Sequence, residues 1–134
     1  GTPETMQNKP EYENVVKELI EYFSRKIKKF RLVGINDLII DPGFGFGKTL
    51  EHNYELLANL EHFQITQVPL MVGLSRKSMI YKRLEIGPED SLTPTAVLHK
   101  TALDKKADIL RVHDVKEAKQ TIELYWELKK YTKN

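Results

Sequence analysis

With 134 residues, 40% of them hydrophobic, the chain is about the size of one modest domain and carries a globular rather than a disordered composition. Its net charge of +2 and pI near 8.7 come from interspersed charges of both signs, which argues against a nucleic-acid footprint. The absence of cysteine excludes disulfides and thiolate metal sites and fits a reducing, cytoplasmic compartment, and no apolar run approaches the roughly 18 residues of a membrane span. The start, Gly1-Thr2-Pro3-Glu4, has neither a signal-peptide pattern nor an initiator methionine, as for a processed start or a cut inside a longer protein.

In chain order, residues 1–10 are polar and turn-like. From residue 11 to about 29, Tyr12, Val15, Val16, Leu19, Ile20, Phe23 and Ile27 recur at helical spacing, with Pro10 suited to the first turn. Basic residues Lys26, Lys28, Lys29 and Arg31 complement the helix C-terminus, and Gly34 ends the segment. Residues 35–41 read as a short strand with Leu38-Ile39-Ile40 buried on both faces. Thr49 caps a second helix to about residue 63, with Leu50, Tyr54, Leu57 and Leu60 on one side. A second strand is expected at 69–73. A third helix starts at Thr93 with Pro94 in its first turn and carries Val97, Leu98, Thr101 and Ala102. Residues 107–113 form a third strand, after which Asp114 caps a last helix and pairs with Glu117 in a capping box. That helix presents Ala118, Ile122, Tyr125, Trp126 and Leu128.

A helix followed by three strand–helix units implies a parallel sheet with helices outside it, in a single α/β domain over residues 1–134. Three strands alone leave bare sheet edges. A (β/α)8 barrel needs about 250 residues, so the pattern fits the last part of one, and either self-association or a larger parent protein is expected.

The chain is organised around Asp41-Pro42-Gly43-Phe44-Gly45-Phe46-Gly47-Lys48. Glycine at every second position after a strand lets backbone pass close to a ligand, and an aspartate at the strand end can fix a polar group. Two phosphate motifs nearly fit and fail. A P-loop ending in Gly47-Lys48-Thr49 requires glycine where Pro42 stands, and a dinucleotide fingerprint from Gly43 requires glycine where Lys48 stands.

Each strand end carries polar residues: Asp41, then Ser75-Arg76-Lys77, then Arg111 and His113. In parallel βα architecture these ends open on one face, giving a carboxylate, two or three cations and a histidine for a polar heterocycle and an anion. Arg76 fits either a surface ion pair or the site. His113, just before the helix cap, fits either a structural histidine or the site. Arg111 lies in an apolar strand and needs a partner. His52, His62 and His99 lack metal-ligand spacing and read as surface or packing residues.

The stretch at 41–48, together with Gly73-Leu74-Ser75-Arg76-Lys77-Ser78 and Arg111-Val112-His113-Asp114, resembles the successive signatures of the dihydropteroate synthase family. Gly1-Thr2-Pro3 with Met6 resembles that family's loop after the fifth strand. The resemblance implies the sixth to eighth strands of a (β/α)8 barrel. It also implies a cytoplasmic folate-pathway transferase, a sulfonamide target, that joins 4-aminobenzoate to a 7,8-dihydropterin bearing a 6-hydroxymethyl diphosphate. Diphosphate leaves with Mg2+ assistance, the metal's protein ligand lying outside this chain. Carried onto matching positions, the resemblance implies that Asp41 bonds the pterin edge and that Lys77 contacts the pterin beside the aminobenzoate, near Gly45, Phe46 and Ser78. Arg111 would stack on the pterin and, with His113, hold the diphosphate. The catalytic positions implied are Lys77 and Arg111.

Lys106 stands where the family usually has glycine, and Pro94-Thr95 where it often has Gly-Thr. The family's first two βα loops have no counterpart here. Two other readings stay open: a pterin-binding domain of the related methyltransferase type, and an inactive portion of the synthase. A homodimer through the last helix, with Tyr125 and Trp126, is the association the resemblance implies.

Overall fold

The structure, a computed structural model, describes residues 14–45 and 47–133. The expected turn region at 1–10, the positions of Pro10 and Tyr12, and Phe46 lie outside the described residues.

Helix α1 spans Val15–Leu32. It opens at Asn14, whose side chain accepts from the Lys17 N–H at 3.1 Å, so the described helix starts later than the periodicity implies. Gly34 follows it with a φ of +88°. Helix α2, Leu50–Ala58, is capped by Thr49 as expected. Thr49 Oγ1 accepts from the His52 N–H at 3.0 Å while the Thr49 N–H reaches His52 Nδ1 at 3.4 Å, a reciprocal cap in which a histidine stands where glutamate is usual. The single helix expected to residue 63 is instead α2 followed by a 3-10 segment, Leu60–Thr66, which buries Leu60, Phe63 and Thr66.

Strand β1 is Met71–Val72 and strand β2 is Ile109–Leu110, paired in parallel with Met71 opposite Ile109. The expected strand at 35–41 contributes one parallel bridge, Ile40 to Leu70. The three parallel segments therefore exist in the expected order, with β1 between the other two, but pairing is confined to their centres. Leu38-Ile39-Ile40 is not buried on both faces: Ile40 is buried and Ile39 is 54% exposed. The side chains alternate at this sheet margin, and Ile39 lines an open groove against α1 rather than a closed core.

Helix α3, Ser78–Leu84, was not visible in the periodicity. It is too short to show a stripe, yet it buries Met79 and Ile80, and the Tyr54 hydroxyl fastens it by donating to the Met79 carbonyl at 2.6 Å. Helix α4 is Leu92–Asp104 and α5 is Val115–Lys129. The buried face of α4 is Thr95, His99, Ala102 and Leu103, whereas Val97 is exposed. Tyr125 of α5 is buried, so it is not surface for a partner, while Trp126 beside it is exposed. α4 ends with Lys106 at φ +76°, the Lys106 N–H bonding the Leu103 carbonyl and the Ala107 N–H the Ala102 carbonyl. This is a left-handed helix stop of the kind glycine usually occupies.

Asp114 stands at the N-cap position of α5 but makes no side-chain cap, and the expected capping box with Glu117 does not form. Its carboxylate is occupied by Arg76 instead. The core under these elements is Leu56, Leu60, Phe63, Val72, Leu74, Met79 and Ile80, with α1 packed on it through Val15, Val16 and Ile27. Because the three parallel segments run the same way, Asp41, Ser75 and Arg111 all emerge at one edge.

Candidate active site

The glycine loop is built by conformation. Gly43, Gly45 and Gly47 have φ of +71°, +99° and +71°, a region that costs other residues about 1 kcal/mol or more each. A Cβ on Gly45 would meet nothing within 4 Å, so backbone angle rather than crowding requires glycine there. Three side chains fasten the loop. Asn53, buried in α2, accepts from the Gly45 N–H at 2.7 Å. The Lys48 ammonium donates to the Pro42 carbonyl at 3.2 Å, and the Lys77 ammonium to the Phe44 carbonyl at 2.9 Å. Phe44 itself is buried.

Asp41 faces two donors. Its Oδ1 accepts from the Gly43 N–H at 3.0 Å, and Oδ2 lies 3.4 Å from Arg111 Nη2. Arg111 thus has a partner, but it follows β2 and its side chain is 60% exposed, so burial in an apolar strand is not what requires one. Its guanidinium lies across Gly73, where a Cβ would stand 2.6 Å from Nη2 and 2.8 Å from Nε. Gly73 therefore supplies the space for Arg111 to cross β1 and reach Asp41.

Burial is the main cause holding the Lys77 ammonium below the ordinary lysine value, with Arg111 adding to it and Asp41 opposing. Burial likewise lowers Lys48, helped by Lys77 and again opposed by Asp41. The cluster is short of negative charge by design of its residue set: one carboxylate against Lys48, Lys77 and Arg111. An incoming anion would relieve that imbalance.

Beside this cluster is a cavity of about 550 Å3, lined by Phe44, Gly45, Lys48, Lys77, Ser78 and Tyr81 among others. Of the sequence-predicted residues, Asp41 and Arg111 meet directly, and Gly45, Lys77 and Ser78 share the cavity. His113 is exposed and is tied in through its backbone, its N–H donating to Ser75 Oγ at 3.3 Å. Arg76 also lines this cavity, but its guanidinium is engaged in a two-pronged bond to Asp114 at 2.8 and 3.1 Å. Arg76 holds the Asp114 carboxyl below its ordinary value. Phe46 lies outside the described residues. Lys48 and Asn53 were missed as site residues. The sole signal for Lys48 was its place at the end of the glycine stretch, and Asn53 reads as an ordinary polar helix residue. Among the described residues no three His, Asp or Glu side chains converge as a metal cradle, so no step is derived through a metal.

The parallel segments ending in a glycine loop and a cationic cluster, together with its structural neighbours, make this α/β chain the C-terminal part of a (β/α)8 barrel. The chain belongs to the pterin-binding enzymes: the family described as "Pterin binding enzyme" matches residues 1–113. It is 47% identical over 119 residues to the dihydropteroate synthase of Escherichia coli (strain K12), a match covering 87% of this chain and 42% of that protein. It superposes on the Yersinia pestis dihydropteroate synthase solved with a sulfonamide drug at a TM-score of 0.92, with 35% identity, over 98% of this chain and 49% of that one. The Thermus thermophilus dihydropteroate synthase, solved with 6HMPPP, gives a TM-score of 0.89 at 32% identity, over 96% of this chain and 51% of that one. The same enzyme solved with 4-aminobenzoate matches equally, at 0.89 and 32%, over 96% and 53%. The chain thus spans less than half the length of the curated relative, and about half of the solved chains.

Proposed function

We propose that this chain is the C-terminal, ligand-facing portion of a dihydropteroate synthase. In this reading it takes part in condensing 4-aminobenzoate with 6-hydroxymethyl-7,8-dihydropterin diphosphate, yielding 7,8-dihydropteroate and diphosphate. The observation that carries it is the Asp41–Arg111 pair at one strand edge, with the Lys77 ammonium beside it. Asp41, an acceptor-only group, matches the adjacent N–H donors of an amino-pyrimidine edge. Arg111, planar and charged, can lie on a ring and still bind an oxyanion.

The chemistry needs little covalent help. The C–O bond to diphosphate breaks with its electron pair leaving on oxygen, and the pterin ring stabilises the methylene cation left behind. The aryl amine donates its lone pair to that carbon and then loses a proton. What the protein has to supply is placement and compensation of departing charge. Lys77, Arg111 and His113 fit the second task, and the cavity lined by Gly45, Lys77 and Ser78 fits the first, for the aminobenzoate. The Mg2+ that the family resemblance implies has no cradle among the described residues, and no step here passes through it. No helix among the described residues is long and apolar enough to cross a membrane. A cytoplasmic enzyme is part of this reading. So is a homodimer through α5, where Leu124 and Leu128 are exposed on one side and Trp126 on another.

Calorimetric titration of the full-length gene product tests this, using the pterin diphosphate, the same pterin without diphosphate, and inorganic diphosphate as competitor. Tight binding of the diphosphate form, displaced by inorganic diphosphate, supports the synthase. Equal affinity for both pterins points to the methyltransferase type of site. No binding to folded protein contradicts both.

A further inference from the structure

We propose that Arg76 is a positioning residue: with Ser75 it clasps the loop after β1 to the loop after β2, and so fixes where Lys77 stands relative to Arg111 and His113. Two consecutive residues of one loop hold two consecutive residues of the other. Ser75 Oγ accepts from the His113 N–H at 3.3 Å, while Arg76 Nε and Nη2 bond the two oxygens of Asp114 at 2.8 and 3.1 Å. The rest of Arg76 ties the same loop to two further elements. Nη1 donates to the Pro88 carbonyl at 3.1 Å, and the backbone N–H to Thr95 Oγ1 on α4 at 3.1 Å.

The neighbours on either side of this clasp are the site itself. Lys77 follows Arg76 and reaches across to the Phe44 carbonyl; Arg111 and His113 precede Asp114. A fixed fork at 76–114 therefore sets the distance from the lysine to the loop that carries Arg111 and His113.

Stability alone is a weak reason for the arrangement. Arg76 adopts a left-handed φ of +54°, unfavourable for a residue with a side chain. Asp114 forgoes its cap on α5. The ion pair formed in return is partly exposed to screening solvent, its side chains 28% and 25% accessible. What the fork keeps beyond that is geometry, because a two-pronged guanidinium–carboxylate bond fixes orientation as well as distance.

The proposal rests on the synthase reading and is tested in the full-length gene product with Arg76→Met, Asp114→Asn and the double variant. Inorganic diphosphate is the calorimetric probe, and hydrogen exchange at the His113 amide reports the clasp. Charge alone makes opposite predictions for the two single variants: losing Arg76 weakens an anion, and losing Asp114 tightens it. Positioning predicts that both weaken diphosphate, by about tenfold, with faster exchange at His113 and a double variant no worse than either single one. Arg76→Lys, which keeps the charge without the fork, recovers only part of the affinity. Should the charge variants fail to fold, Ser75→Ala removes one bond of the clasp without altering charge and is expected to weaken diphosphate in the same direction. Unchanged or tighter binding in folded Asp114→Asn overturns the proposal, as does a Ser75→Ala variant with faster exchange and full affinity. Failure of the unsubstituted protein to bind diphosphate overturns the synthase reading instead, and this inference with it.

Discussion

The two sides of the strand edge are fastened by different chemistry. The glycine loop, residues 41–49, is held through its backbone: Asn53 on the Gly45 N–H, and two lysine ammoniums on the Pro42 and Phe44 carbonyls. Both lysines are held below their ordinary value, chiefly by burial. The facing loops at 74–78 and 111–114 are joined instead by a charge pair and a hydroxyl, whose groups are satisfied by one another. The difference separates what a ligand can rearrange from what it cannot. An anionic ligand would bring charge that the lysines lack, whereas the Arg76–Asp114 fork has nothing to gain from it.

This comparison is broken most severely through Asn53. Asn53→Ala leaves the Gly45 N–H without its acceptor in a half-buried loop and is expected to cost about 2 kcal/mol, read by denaturant unfolding. Gly73→Ala strikes the other side by space alone. Its Cβ would press on the end of a flexible, mostly exposed side chain, so Arg111 swings away from Asp41 and the fold persists. Diphosphate affinity is expected to fall about tenfold, near 1.4 kcal/mol, with unfolding almost unmoved. Gly45→Ala does the reverse: about 1 kcal/mol is lost to the left-handed angle, with no steric contact to a neighbour.

A smaller effect lies in pH. His99 is buried, its Nε2 has no hydrogen-bond partner among the described residues, and burial outweighs Asp114 in holding it below the usual 6.5. The unfolded chain then binds more protons than the folded one between that lowered value and 6.5, so stability rises with pH across the window. His99→Phe is expected to flatten the rise, measured as unfolding midpoint against pH. Smallest is Lys106→Gly. Relief of the left-handed lysine is partly offset by glycine's greater freedom when unfolded, leaving a gain of about 0.5 kcal/mol in thermal unfolding.

The site was legible where its signal is local. Asp41, Lys77 and Arg111 stand at the ends of apolar runs, and alternate glycines announce a backbone that other residues cannot follow. Lys106 was legible as a departure from the family's glycine, and it does adopt the left-handed angle. Partner choice was not legible. Asp114 has the sequence of a helix cap, yet Arg76, 38 residues away, offers its carboxylate two charged donors where a cap offers backbone N–H groups. Helix α3 was missed because a segment of 7 residues shows no stripe, and its place is set by burying Met79 and Ile80. The strand at 35–41 was overdrawn because apolar residues mark burial or a sheet margin alike, and Ile39 is at the margin.

The central claim is that Asp41 receives the pterin while the cations opposite receive the diphosphate. Calorimetric titration of the Asp41→Asn variant tests it most directly, with the pterin diphosphate and inorganic diphosphate titrated separately. The account predicts that the variant folds, loses measurable affinity for the pterin diphosphate, and still binds inorganic diphosphate through Lys77, Arg111 and His113. Full affinity for the pterin diphosphate in Asp41→Asn would contradict it.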